Sequence, residues 1–255
     1  MRDSMGASDG AMHGTWQAQP DGRTRILAAW TALPLGGAMH ILLLAALSEE
    51  ADACFPREGT RDGDMFAVRR LAAHGHRLTI ATTGLGKVNA ALAAGALGAE
   101  ADLLLIIGTC GALGAKAGRA YWIAEAVQHD YGAAHPRAFR RYRAGEWPIG
   151  EPGETHFSAM ADPGLGLAHA RIASGDSFIA CPDAAASLGA TLRASLVDME
   201  VGAVAQAAAR LGLPWAAIKA VTDEANEGSG ADFHANLALA AGLAAREAER
   251  LVAML

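Results

Sequence analysis

From His40 onward, short apolar runs alternate with alanine-rich stretches. Residues 41–46, 78–82, 103–107 and 120–127 read as strands, with three more at 170–173, 196–199 and 215–221. Most of these runs lack a polar face, the pattern of strands covered from both sides. Between them, residues 88–97 place Val88, Ala91, Leu92 and Ala96 on one face at helical spacing, although Gly95 shares that face and weakens a helix. Residues 201–211 repeat the pattern with Val201, Val204, Ala205, Ala208 and Leu211, and residues 236–255 close the chain as a long helix. Strands alternating with helices predict an α/β fold with helices on both faces of a sheet. The sequence has no internal repeat.

Residues 129–157 break this rhythm. They are rich in Arg, Gly and Pro, with Phe139, Tyr142 and Trp147 interspersed. A long aperiodic segment inside a compact domain is usually functional or an interface.

The chain of 255 residues, 52% of them hydrophobic, is long enough for one large domain or two small ones. No Pro/Ser-rich linker or charge block divides the region after residue 40, so residues 39–255 are expected to form a single domain. Residues 1–38 lack periodicity and are expected to be a disordered tail. Within them, Arg23, Arg25 and residues 26–30 faintly resemble a secretory signal, but no cleavage site follows. No apolar run reaches the length of a membrane span.

The net charge of −6, without a long basic run, excludes an electrostatic nucleic-acid footprint. Arg137, Arg140, Arg141 and Arg143 are the local exception, and read as a solvated loop or an oligomer contact. Cys54, Cys110 and Cys181 are odd in number and widely spaced, which argues against a disulfide framework or a zinc site and fits a reduced, cytoplasmic compartment. His74 and His76 do not have metal-ligand spacing, so no metal or cofactor is expected.

Candidate chemistry gathers at strand ends, where α/β sheets place their ligands. Asp198-Met199-Glu200 and Thr222-Asp223-Glu224 each follow an apolar strand. Ser48-Glu49-Glu50 follows the first strand and reads either as a helix start, with Ser48 as cap, or as the home of a base. Gly84-Leu85-Gly86-Lys87 lies between strand and helix but lacks the glycines of a dinucleotide fingerprint or a P-loop. Gly108-Thr109-Cys110-Gly111 allows close backbone approach and offers a hydroxyl; Cys110 reads as a small buried residue. Ser174 to Ile179 places Phe178 where a ring can stack on a planar base, or can simply join the core.

Taken in order, Ala46-Leu-Ser-Glu-Glu50, Gly84-Leu-Gly-Lys-Val88, Gly108-Thr-Cys-Gly111, Ser174-Gly-Asp-Ser-Phe-Ile179, Asp198-Met-Glu200 and Lys219-Ala-Val-Thr-Asp223 resemble the nucleoside phosphorylase/hydrolase superfamily. Within it they are similar to the bacterial 5′-methylthioadenosine/S-adenosylhomocysteine nucleosidases. The resemblance implies a three-layer sandwich with a central mixed, twisted sheet, hydrolysis of a purine nucleoside, and a homodimer.

It also implies roles. Asp223 matches the general acid that protonates N7 of the leaving adenine, Glu50 the base that activates water, and Glu200 the ligand of the ribose hydroxyls. Met199 matches a residue against the sugar, Phe178 the ring on the purine, Ile179 the backbone that reads its edge, and Phe233 an aromatic closing the pocket. Thr109 stands for a serine near the water, and Lys219 for an arginine near the water and Glu50. Residues 129–157 do not align with the family's substrate-covering loop, which leaves the 5′ substituent open.

These residue types suit the chemistry. Cleaving an N-glycosidic bond makes the base leave while the sugar becomes cationic. A protonated Asp223 aids the leaving group, and Glu200 offsets the positive charge. A phosphorylase must hold an anion beside the sugar, whereas Glu49 and Glu50 would repel phosphate. Phosphorolysis aided by Lys87, Lys219 or a loop arginine is the alternative, and a catalytically silent nucleoside-binding protein is the third reading.

Overall fold

The computed structural model describes residues 16–18, 24–26, 37–56, 59–63 and 65–255. It begins with strands β1 (Trp16–Ala18), β2 (Thr24–Ile26) and β3 (His40–Ala45), then helix α1 (Ser48–Ala53). Strands β4 (Thr60–Gly63), β5 (Ala67–Ala73) and β6 (His76–Thr82) lead into α2 (Lys87–Leu97). The long strands β7 (Leu103–Ala112) and β8 (Ala120–Gln128) precede the short β9 (Gly132–His135), β10 (Ala138–Arg141) and β11 (Thr155–Ser158). The order then runs β12 (Ala168–Ser174), α3 (Pro182–Leu192), β13 (Leu196–Asp198), α4 (Val201–Leu211), β14 (Trp215–Asp223) and α5 (Ser229–Met254).

Strand β3 shows why the sheet needs two coats. Successive side chains point to opposite faces. Leu42 and Leu44 enter one apolar cluster with Ala90, Ala93 and Ala94 of α2 and Val204, Ala205 and Ala208 of α4. Ile41, Leu43 and Ala45 enter another with Ala51 of α1 and Ala240, Ala244, Ala248 and Leu251 of α5. The result is the expected three-layer α/β sandwich.

Among the described residues the central sheet is mixed and has twelve strands. Strand β3 runs parallel to β6 and β7, and β5 runs antiparallel to β6. At the other end the pairings close on themselves: β7 pairs with β14, β14 with β8, β8 with β12, β12 with β13, and β13 with β7. This ring removes free sheet edges where the strand-end carboxylates converge.

Several expected boundaries move. The strand expected at 103–107 continues to Ala112, so Gly108 to Gly111 lies within it. Helix α5 starts at Ser229 rather than 236. The pair β4 and β5 and helix α3 were not read from the sequence, because Arg69 and Arg70 interrupt one pattern and small polar residues dilute the other. The segment 129–157 is not structureless: it holds the β9–β10 hairpin and β11, and it buries Tyr142 and Phe157. The expected tail, 1–38, falls largely outside the described residues. Where described, β1 and β2 pair with each other, and β2 runs parallel to β11.

Helix α2 reverses its expected face. Val88 and Leu92 are 75% and 48% exposed, while Ala90, Ala93 and Ala94 are buried. Small side chains face inward because α2 packs directly on α4. Helix α4 follows its pattern except at Leu211, which is exposed.

Candidate active site

Strand β7 is the spine of the site. In register along β14, Lys219 lies opposite Gly108, Ala220 opposite Thr109 and Asp223 opposite Gly111. On the other side, Val197 of β13 also lies opposite Gly111, just before Asp198 and Glu200. Helix α1 lays Glu50 over the same strand. Gly108 makes this possible: it adopts φ +140°, and a Cβ there would sit 2.6 Å from Oε1 of Glu50. Gly108→Ala is therefore expected to displace Glu50 and to cost about 1–3 kcal/mol through backbone strain alone. Thermal melting and turnover, measured together, should both fall.

Glu50 is buried, 2% exposed. Its Oε2 accepts hydrogen bonds from the backbone N–H of Ala46 and of Leu47, each at 3.1 Å. Its Oε1 accepts from the Thr109 N–H at 2.8 Å and from the Thr109 hydroxyl at 2.9 Å. Four donors match the acceptor capacity of a carboxylate. Glu50 thus ties the start of α1 to β7. Ser48 does not cap; its hydroxyl bonds the neighbouring Glu49.

Lys219 lies fully within the core, and its Nζ is 3.1 Å from Oδ2 of Asp198 and 3.5 Å from Oε2 of Glu200. Expected near Glu50 and the water, its ammonium does feel the Glu50 charge, but its ion pairs are with Asp198 at the end of β13 and Glu200 just beyond it. Burial would lower its pKa, but Asp198 and then Glu200 outweigh burial and hold it above the ordinary lysine value. Oδ1 of Asp198 accepts from the Ser174 hydroxyl at 2.5 Å and its Oδ2 from the Val201 N–H at 3.0 Å. Glu200 accepts from the Gly86 N–H at 3.1 Å. Burial pushes the Glu200 carboxyl up to about 7; Lys219 pulls against that rise and Asp198 adds to it.

Asp223 ends β14 and is buried. Its Oδ1 accepts from the Ala225 N–H at 3.0 Å and its Oδ2 from the Thr222 hydroxyl at 2.8 Å. A Cβ at Gly111 would lie 3.2 Å from Oδ1, so glycine leaves this carboxylate its room. Asn236 of α5 donates to the Thr222 carbonyl at 2.8 Å and steadies the turn. Glu224 is exposed. Burial raises the Cys110 thiol well above its ordinary value, which removes it as a nucleophile.

The aromatic candidates stand together. Phe178, half exposed, meets Phe233 edge to face, with centroids 6.3 Å apart. Ile179 packs partly buried beside Val197 and Ala225, and Met199 is partly buried between Asp198 and Glu200 in sequence. The loop carrying Phe178 is strapped down. The Asp176 N–H donates to Asp130 at 2.8 Å, the Lys87 N–H donates to Asp176 at 2.7 Å, and the Lys87 ammonium pairs with Asp130 at 2.6 Å.

Sequence reasoning names Asp198 among the strand-end acids and foresees close backbone approach at Gly108, but it gives Asp198, Ser174 and the Gly86 amide no role at the site. Only Asp198 carried a usable signal: a lysine in the middle of an all-apolar strand needs buried carboxylate partners.

A three-layer sandwich closing into a strand ring, with buried acids at its strand ends, defines a class, and the chain belongs to it: the phosphorylase superfamily model matches residues 36–253. Among curated proteins the chain is similar to the 5′-methylthioadenosine/S-adenosylhomocysteine nucleosidase of Mycobacterium tuberculosis. The two are 30% identical in an alignment of 211 positions that covers 71% of this chain and 82% of that protein. It is also 34% identical over 184 residues to the futalosine hydrolase of Thermus thermophilus, covering 67% of this chain and 79% of that one. Among solved structures, the Neisseria meningitidis 5′-methylthioadenosine/S-adenosylhomocysteine nucleosidase in complex with methylthio-immucillin-A aligns with a TM-score of 0.72. That alignment has 25% identity and covers 85% of this chain and 100% of the other.

Proposed function

We propose that the protein hydrolyses the N-glycosidic bond of adenosine-type nucleosides, 5′-methylthioadenosine and S-adenosylhomocysteine foremost, releasing adenine and the free 5-substituted ribose. The observation that carries this reading is the setting of Glu50: a buried carboxylate laid by α1 over the spine strand, beside the Thr109 hydroxyl and, among the described residues, with no free cation against it. Both lysines that could serve a phosphate are engaged, Lys87 with Asp130 and Lys219 with Asp198 and Glu200. A site of this charge favours water over an anion.

In this mechanism Asp223 donates a proton to the purine, Glu200 grips the ribose hydroxyls, and Phe178 and Phe233 hold the base. Glu50 accepts the proton of the attacking water. Of its four donors, only the Thr109 hydroxyl can rotate, so its bond is the one that gives way to that water. Incubation with methylthioadenosine, with and without phosphate, tests the reading. Methylthioribose formed without phosphate is expected. A ribose 1-phosphate product means phosphorolysis, and binding without turnover means a silent receptor. Running S-adenosylhomocysteine, 5′-deoxyadenosine and futalosine in parallel ranks the 5′ groups.

The active form in this proposal is a cytoplasmic homodimer. The outward apolar face of α2, with Val88 and Leu92 exposed and Leu85 exposed in the loop before it, supports it, as do exposed Phe139 and Trp147 in the 129–157 segment. No helix among the described residues is long and apolar enough to cross a membrane. Light scattering should give the mass of two chains, and Val88→Glu with Leu92→Glu should give one. A monomeric wild type would overturn the dimer.

A further inference from the structure

The buried ionic group after β13 is short of one positive charge. Two carboxylates, Asp198 and Glu200, face a single ammonium, that of Lys219. Among the described residues, the other titratable groups that act on this group are Glu50, Cys110 and His129, the last just beyond β8, where burial lowers its pKa and favours the neutral ring. Glu50 contributes a further carboxylate from α1, the Cys110 thiol on β7 stays protonated, and the loop before α2 contributes only the Gly86 N–H. Apolar Leu44, Ala90, Ile106 and Val204 line the space around Lys219 and Glu200, so water does little to screen these charges.

The two acids do not share the ammonium equally. Asp198 holds it at 3.1 Å and also takes the Ser174 hydroxyl and the Val201 N–H. Glu200 holds it at 3.5 Å and has otherwise only the Gly86 N–H, on its other oxygen. Oε2 of Glu200 is therefore the under-supplied atom of the group, with capacity left for a hydroxyl donor. A sugar that becomes cationic in the transition state would bring the missing charge to that spot.

We infer that Lys219 is a positioning residue acting through Glu200: by giving Asp198 the larger share of one buried ammonium, it supports the ionised form of Glu200 while leaving that carboxylate short of a full counter-charge, ready for a cationic sugar. With no cation, Glu200 would take up a proton and lose its pull on the sugar. With a full cation of its own, it would have no charge left to offer. The catalytic part of this inference rests on the nucleosidase reading; the electrostatic part does not. The sign of the pH effect follows directly. Burial chiefly raises the Glu200 carboxyl to about 7, so the ionised form is lost as pH falls through that value.

The test titrates the Glu200 carboxyl by carbon NMR in the resting protein, with its signal assigned from E200Q. K219M should raise the midpoint by about one to three pH units, the range for loss of an adjacent opposite charge. D198N should lower it, since Glu200 then has the ammonium to itself, and K219R should leave it near wild type. D198N keeps one acid for one base, so it decides the matter if K219M fails to fold. A midpoint that stays put in either folded variant overturns the proposal. In the active enzyme, the acid limb of kcat/KM should move with the midpoint in each variant; a limb that does not follow would overturn the catalytic part. If the wild type cleaves no nucleoside, the functional reading fails, while the titration still decides this one.

Discussion

Replacing Asp223 by Asn should lower turnover by at least about 10²-fold while leaving substrate affinity near that of the wild type, because an amide cannot supply the proton that a general acid contributes. The fold should tolerate the change. Oδ1 of Asn still accepts the Ala225 N–H. The new amide group faces the Thr222 hydroxyl, which already lies 3.2 Å from the Cys110 carbonyl and can turn its proton there. The loss in stability is expected to stay within about 1 kcal/mol, one ordinary hydrogen bond. Steady-state kinetics beside a melting curve separate the two effects. Turnover equal to wild type would remove Asp223 as the acid.

Glu50→Gln should behave differently, losing both activity and stability. Each Glu50 oxygen accepts from backbone N–H groups: Ala46 and Leu47 on one, Thr109 on the other. Whichever way the glutamine amide turns, its NH2 meets a buried donor and leaves it without a partner. Such an orphaned donor costs about 1–3 kcal/mol. Turnover should drop by about 10²–10⁴-fold through loss of the base. Kinetics well below the melting transition, on protein shown to be folded, isolate the catalytic share. A Gln variant that melts with the wild type would mean that the four-donor cradle is not formed in solution.

The contrast between these variants also shows what the sequence could and could not reveal. Both acids stood out because they follow apolar strands, and their grouping with Glu200 came from the order of the short motifs. The two-sided burial of β3 was legible from its unbroken Ile41 to Ala45 run. The inward face of α2 was not. Leu92 and Val88 outrank alanine on any hydrophobic scale, yet close helix packing selects the smaller side chains, and periodicity alone cannot tell which face meets α4. At Gly108 the sequence showed room for close backbone approach but not what approaches: the strand passes beneath the Glu50 carboxylate, in a conformation that favours glycine. Lys219 was placed by analogy with an arginine beside the water. Its actual partners depend on β13 and β14 flanking β7 on opposite sides, which no local pattern records.

The strand ring bears on how the molecule comes into being. Glu50 bonds to Thr109 across 59 residues of sequence, Gly86 to Glu200 across 114 and Thr222 to Cys110 across 112. Contacts of such long range form late, because the loop between partners must close before any bond repays it. During synthesis the spine strand emerges well before β14 can pair with it, and the Thr222 turn waits for Asn236 of α5. A chain that lacks β14 and α5 is therefore expected to carry no partial activity. The nascent polypeptide should stay inert until both elements have emerged, and a truncation before α5 should yield an incompetent protein rather than a weaker one.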